Sequence, residues 1–236
     1  MEGQPVSRRQ LFGLVGAGVF GALAPALWTP QARHECEAQH STPDQALNRL
    51  IAGNARFMSG TVTHARQDAE RRMELAAGQS PLATIVGCSD SRVPPEVVFD
   101  LGLGDLFVVR VAGNVIDTDV AGSVQYAVHH LHTPLVVVLG HQQCGAVMAA
   151  LAPESDREKE PPDVQALVNR IEPALNGLDS SLHGDWRVAA AVKANALYST
   201  KALAALPDLA TALNEKRLRI LPAVYDLTTG RVNLLE

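Results

Sequence analysis

Two cysteines, a histidine, an aspartate and an arginine carry the chemistry of this sequence. Cys88, Asp90 and Arg92 alternate in the stretch CSDSR, and His141 and Cys144 make a His-x-x-Cys step further along the chain. Thiolate and imidazole are ligands that zinc takes tetrahedrally, and a catalytic zinc keeps one position open. Cys88, His141 and Cys144 offer two sulfurs and one nitrogen. Asp90 is either a fourth ligand or a carboxylate turned away so that water takes that position. Arg92 is spaced to decide between the two. A bidentate Arg–carboxylate pair would hold Asp90 off the ion and keep it ionised. Taken singly these features are weak, because a cysteine in an apolar chain is usually a buried small residue. A Cys88–Cys144 disulfide would also suit an exported protein. It would leave His141, Asp90 and Arg92 without a shared role, whereas a metal site accounts for all five residues.

The segments before these residues must bring them together. Residues 83–87 (ATIVG) and 135–140 (LVVVLG) are apolar, β-branched runs that end in glycine, followed at once by Cys88 and His141. Buried parallel strands read this way, and ligands collect at their carboxyl ends where the strand order reverses. A third strand is expected over 106–111 and a helix over 120–132, a βαβ order that implies a parallel sheet with right-handed crossovers. Thr42-Pro43-Asp44 reads as a helix start, with Thr42 as cap and the helix running to about Met58. A second helix is expected over 66–77. Pro94-Pro95 breaks the chain before a short helical turn at Glu96-Val97-Val98. A helix should follow Cys144 to about Leu151. The charge-rich stretch 152–163 reads as an exposed loop. Helices over 164–175 and 186–205 come next, then a closing strand over 218–227 that turns at Thr229-Gly230 into 232–234. The expected fold is α/β: a Rossmann-like, mostly parallel central sheet flanked by helices, with an N-terminal helical arm.

Composition bounds the rest. At 236 residues and 47% hydrophobic, the chain suits one α/β domain with a short extension. A net charge of −5 argues against nucleic acid or anionic membrane as partners. Three cysteines exclude a disulfide scaffold. Ser7-Arg8-Arg9-Gln10-Leu11-Phe12 is a twin-arginine pattern, followed by a Gly- and Ala-rich, weakly apolar stretch and small residues suited to cleavage. That stretch is at the lower edge of spanning length, and its glycines and Pro25 weigh against a stable membrane span. Residues 1–32 therefore read as a cleaved export signal, giving a periplasmic or otherwise extracytoplasmic protein. Residues 33–42 read as a polar linker with a spare thiol, Cys36, between His34 and His40. Residues 43–236 read as the catalytic domain. His129, His130 and His132 fall at a helix end, where the dipole favours histidine, which explains them better than a proton shuttle does.

Residues 88–93 (CSDSRV) and 140–146 (GHQQCGA) closely resemble the two signatures of the β-class carbonic anhydrases. Residues 46–60 (ALNRLIAGNARFMSG) resemble the N-terminal arm of that family. Further matches are 78–81 (GQSP), 104–107 (GDLF), 112–114 (AGN), 122–128 (GSVQYAV) and 225–230 (YDLTTG). The resemblance covers about residues 43–236. It implies one Zn2+ per chain on Cys88, His141 and Cys144, with Asp90 and Arg92 as a dyad beside the open position, Asp90 being the alternative fourth ligand. It implies a pocket for carbon dioxide and bicarbonate lined by Gln79, Phe107 and Tyr126, partly from a second subunit, together with Ala112 and the Gly145 N–H. A homodimer or dimer of dimers follows from the same likeness. Three positions depart from the pattern. Val111 stands where many members have Asn, and Ala112 where Val is frequent, which widens the pocket. Ile85 replaces the Trp of the bicarbonate-regulated members. The expected reaction is reversible hydration of carbon dioxide by zinc-activated hydroxide in an apolar pocket. The rivals are hydrolysis of carbonyl sulfide or carbon disulfide on the same scaffold, and a closed structural zinc module, which has no use for a releasable carboxylate.

Overall fold

A capping box starts the fold. In the computed structural model, which describes residues 41–235, Thr42 Oγ1 accepts from the Gln45 N–H and Gln45 Oε1 accepts from the Thr42 N–H. Two amides that a helix start leaves unpaired are thereby satisfied. The expected export signal, most of the linker and Cys36 lie outside the described residues. Helix α1 (Pro43–Ser59) runs to Gly60, whose φ of 69° ends it in the left-handed region. α1 lies against the chain following α3 (Pro95–Val98). A Cβ on Gly53 would sit 1.8 Å from the Phe99 carbonyl oxygen, so glycine is required there. Helix α2 (Ala69–Glu74) and a 3-10 turn (Leu75–Ala77) follow. The helix begins later than expected because Arg66 has φ 61° and Asp68 caps the first turn.

The sheet comprises β1 (Ala83–Gly87), β2 (Leu106–Arg110), β3 (Leu135–His141), β4 (Arg219–Tyr225) and β5 (Val232–Leu234), in the order β2-β1-β3-β4-β5. The first four are parallel and β5 joins antiparallel. β1 and β3 are buried throughout, as their unbroken apolar runs require. The remaining helices are α4 (Thr118–His130), α5 (Gly145–Leu151), α6 (Glu154–Arg157), α7 (Pro162–Leu175), α8 (Gly184–Ala204) and α9 (Pro207–Asn214). Strand alternation divides the core into two. Ile85, Val137 and Leu139 pack with Leu50 and Val98, while Val86, Val136 and Val138 pack with Val124, Leu203 and Leu209. Each such side chain contributes roughly 1.5–3 kcal/mol by leaving water.

Two further segments differ from the sequence expectation. The stretch 152–163 is not all loop, since Pro153 leads into the single turn of α6. Residues 206–217, which carried no expectation, contain α9, with Pro207 in its first turn and Leu209 and Ala212 buried. Among the described residues no helix is long and apolar enough to cross a membrane. From β1 the chain passes outward to the edge strand β2 and then back across β1 to β3. The order therefore reverses between β1 and β3, which opens a crevice at their carboxyl ends.

Candidate metal centre

Both signature segments meet at that crevice. Cys88 directly follows β1, His141 is the last residue of β3, and Cys144 immediately precedes α5. Their ligand atoms all lie within 4.8 Å of one another, and all three residues are buried. A third apolar cluster that includes Val115, Val147, Val168, Ile171 and Val192 encloses the two sulfurs. The sulfurs are 3.9 Å apart and both cysteines are free. Two thiolates about 2.3 Å from a tetrahedral ion stand about 3.8 Å apart, so the spacing suits zinc and is far too long for a disulfide.

The electrostatics point the same way. A hydrogen bond from the Cys144 thiol pulls Cys88 down to about 4. The same contact, with burial, pushes Cys144 up. Ionising both thiols would set two negative charges 3.9 Å apart, a repulsion that a bound cation would relieve. The His141 ring is tied through Nδ1, 2.8 Å from the Gln142 carbonyl oxygen, which fixes Nδ1 as the donor. Its Nε2 is buried without a hydrogen-bond partner. Burial pulls the imidazole down, but the neighbouring Cys88 sulfur and Asp90 raise it overall. An orphaned, fully buried ring nitrogen facing two sulfurs fits a metal ligand. Two thiolates and a neutral imidazole would balance a divalent ion in charge.

Asp90 is held beside this cluster. Arg92 donates to it three times: Nε to Oδ1 at 2.9 Å, Nη2 to Oδ2 at 2.7 Å, and the backbone N–H to Oδ1 at 2.9 Å. That guanidinium holds the carboxyl well below the usual carboxylate range. Asp90 Oδ2 is 3.7 Å from His141 Nε2, close to the ligand cluster but directed at Arg92. Of the two roles open to Asp90, the geometry favours the withheld carboxylate. Sequence reasoning missed what braces this loop. Arg110, the last residue of β2, donates to the Cys88 carbonyl at 3.0 Å and the Asp90 carbonyl at 2.6 Å. Gly113 donates its N–H to Cys88 Sγ at 3.3 Å. A charged residue closing an apolar strand was the available signal for Arg110.

The other pocket residues divide into two groups. Ala112 neighbours Gly113 in a 3-10 turn, and Gly145 follows Cys144, so both adjoin the cluster. Phe107 pairs with Thr84, four residues before Cys88, which is about 13 Å away along the strand. Tyr126 accompanies it, with ring centroids 6.2 Å apart, and exposed Gln79 precedes the start of β1. These three are not brought to the ligands of their own chain. His129 meets Asp208 at 3.3 Å, and the His130 and Tyr126 ring centroids are 5.0 Å apart.

Residues 83–232 match the family model described as carbonic anhydrase. This chain belongs to the carbonic anhydrase family. It is 50% identical over 136 residues to carbonic anhydrase 2 of Mycobacterium tuberculosis, an alignment covering 58% of this chain and 66% of that relative. Among solved structures it resembles the β-carbonic anhydrase CcaA, with a TM-score of 0.67 and 29% identity over 81% of this chain and 88% of the other. It also resembles the tetrameric β-carbonic anhydrases of Sordaria macrospora, with a TM-score of 0.65 and 25% identity over 81% and 97%. The sheet and N-terminal helix are those of the β-class carbonic anhydrases.

Proposed function

We propose that this chain is a zinc enzyme interconverting carbon dioxide and bicarbonate, with Cys88, His141 and Cys144 holding one Zn2+. The observation that carries the reading is the convergence of two sulfurs and an orphaned imidazole nitrogen beside an ionised carboxylate clamped by arginine. Zinc, when bound, supplies the Lewis acidity that makes water a nucleophile near neutral pH, an effect best known from the three-histidine kind of carbonic anhydrase. Arg92 keeps Asp90 ionised and off the fourth position. Asp90 then accepts the hydrogen bond of a water or of the bicarbonate hydroxyl at Oδ2 and sets its direction. The Gly145 N–H, in the first turn of α5 where amides lack helical partners, serves a substrate oxygen. Ala112 leaves an apolar wall for an uncharged gas.

Gln79, Phe107 and Tyr126 complete the pocket of a second copy, giving a homodimer or dimer of dimers. Their distance from their own ligand cluster supports this, as does the tetramer described for the Sordaria relatives. Residues 1–32 direct export by the twin-arginine route, with 33–42 as linker and 43–236 as the catalytic domain. The motif Ser7 to Phe12 supports that reading. Cell fractionation tests it: replacing both Arg8 and Arg9 by lysine should strand the activity in the cytoplasm, and unchanged export would overturn it.

Stopped-flow hydration of carbon dioxide from neutral to alkaline pH, with zinc quantified per chain, tests the function. One zinc per chain with fast hydration is expected. One zinc with no hydration at any pH would leave only a structural ion, and activity confined to carbonyl sulfide or carbon disulfide would assign the rival hydrolysis.

A further inference from the structure

Asn195 sits mid-way along α8 and is 1% exposed. Asparagine is a poor helix former, and the buried α8 positions around it are Ala191, Val192, Ala196 and Ser199. Its Oδ1 is buried with no partner, which costs stability. Its Nδ2 donates to the Gly113 carbonyl at 2.7 Å. Gly113 is the residue whose N–H reaches Cys88 Sγ. It holds φ at 71°, and a Cβ there would meet Ile171 Cδ1 at 2.7 Å, so this backbone conformation is reserved for glycine. The 3-10 turn around it, Ala112–Asn114, has no side-chain cap of its own. A residue that breaks the local rule on a helix, and holds the carbonyl of a residue whose own N–H reaches a ligand sulfur, points to function beside packing.

We infer that Asn195 is a positioning residue for the metal centre, acting through Gly113 to aim an N–H at Cys88. The inference rests on reading Cys88 as a zinc ligand. An N–H directed at a thiolate fixes the sulfur's orientation and draws off part of its charge. Without the Asn195 donor the turn is free to rotate the Gly113 N–H away. The sulfur then becomes more electron-rich and less constrained, and the ion is held less well. Outer partners of this kind typically alter metal affinity by about 10–100-fold.

The test uses the full chain loaded with zinc, and separately with Co2+, whose thiolate charge-transfer absorption reports on the sulfur directly. Asn195→Leu removes the donor together with the unpartnered acceptor and improves the helix, so the fold is retained. Asn195→Ala removes the same donor without adding bulk or charge and suits a helix. Both variants should move the cobalt–thiolate band to longer wavelength and lose zinc to a chelator about tenfold faster. Leu203→Ala, buried on the same helix but in a different core cluster, should lower the melting temperature without moving the band. An unshifted band with wild-type zinc loss in both Asn195 variants would overturn the role of Asn195 and leave the zinc reading intact. So would an equal shift in Leu203→Ala. A wild-type chain that takes up neither ion would remove the zinc reading and this inference with it.

Discussion

Two aspartate–arginine pairs in this chain look alike in composition and differ in what surrounds them. Asp100 accepts from Arg56 Nε, from the Thr63 N–H and hydroxyl, and from the His64 N–H. Burial pushes its carboxyl up, but those donors outweigh it and leave it at about 2. Both oxygens are saturated, and the result is a clasp between α1, the 63–64 loop and the chain after α3. Asp90 takes every side-chain bond from Arg92 and turns one edge toward His141. Saturation on all sides makes a structural carboxylate. An ionised carboxylate with one edge left toward a ligand cluster makes one suited to chemistry.

The widest break between the two comes from removing a ligand. Cys144→Ser should abolish zinc retention and hydration together, whereas Asp100→Asn should still carry one zinc per chain by metal analysis. Next, Asp90→Asn should keep the metal and lose hydration rate by about 10²-fold or more, the scale of a lost proton-handling group. Wild-type turnover in that variant would refute the gating role. Asp100→Asn should instead leave the rate per folded molecule intact and lower the unfolding free energy by about 2 kcal/mol, as for a buried charged hydrogen-bond acceptor. Urea denaturation measures that loss.

The smallest effect is in the pH dependence. The folded Asp100 carboxyl, at about 2, lies below its unfolded value of about 3.9. Its contribution is therefore complete above about pH 4 and disappears as the pH falls toward 2. The stability gap between wild type and Asp100→Asn should be constant near neutrality and close across that acid window. A gap that widened on acidification would contradict the clasp.

The meeting of Cys88, His141 and Cys144 was legible in the sequence because few residue types bind metals in this pattern and because apolar runs ending in glycine mark strand ends. Thr42-Pro43 was legible for a similar reason, since capping chemistry is local. Arg110 and Asn195 were not. An arginine at the end of a strand and an asparagine in an Ala-rich helix read equally well as surface residues, and only the fold brings the first to the Cys88 loop and the second to Gly113. α9 escaped notice because its eight residues leave room for only two buried positions. Phe107 and Tyr126 were recognisable by type, yet their remove from the cluster emerges only from strand register, which no local pattern encodes.

Two sulfurs 3.9 Å apart are one small side-chain movement from a covalent bond of about 2.05 Å. Whenever the ion is missing, the pocket that should receive it is also poised to seal itself. If the proposed zinc reading holds, the fate of each newly made molecule would depend on sequence of encounter: metal first would give a working site, oxidant first a closed one. On the zinc reading proposed above the ion would double as a protecting group, and the proposed route, which carries chains across the membrane already folded, would decide the order of those encounters on the inner side.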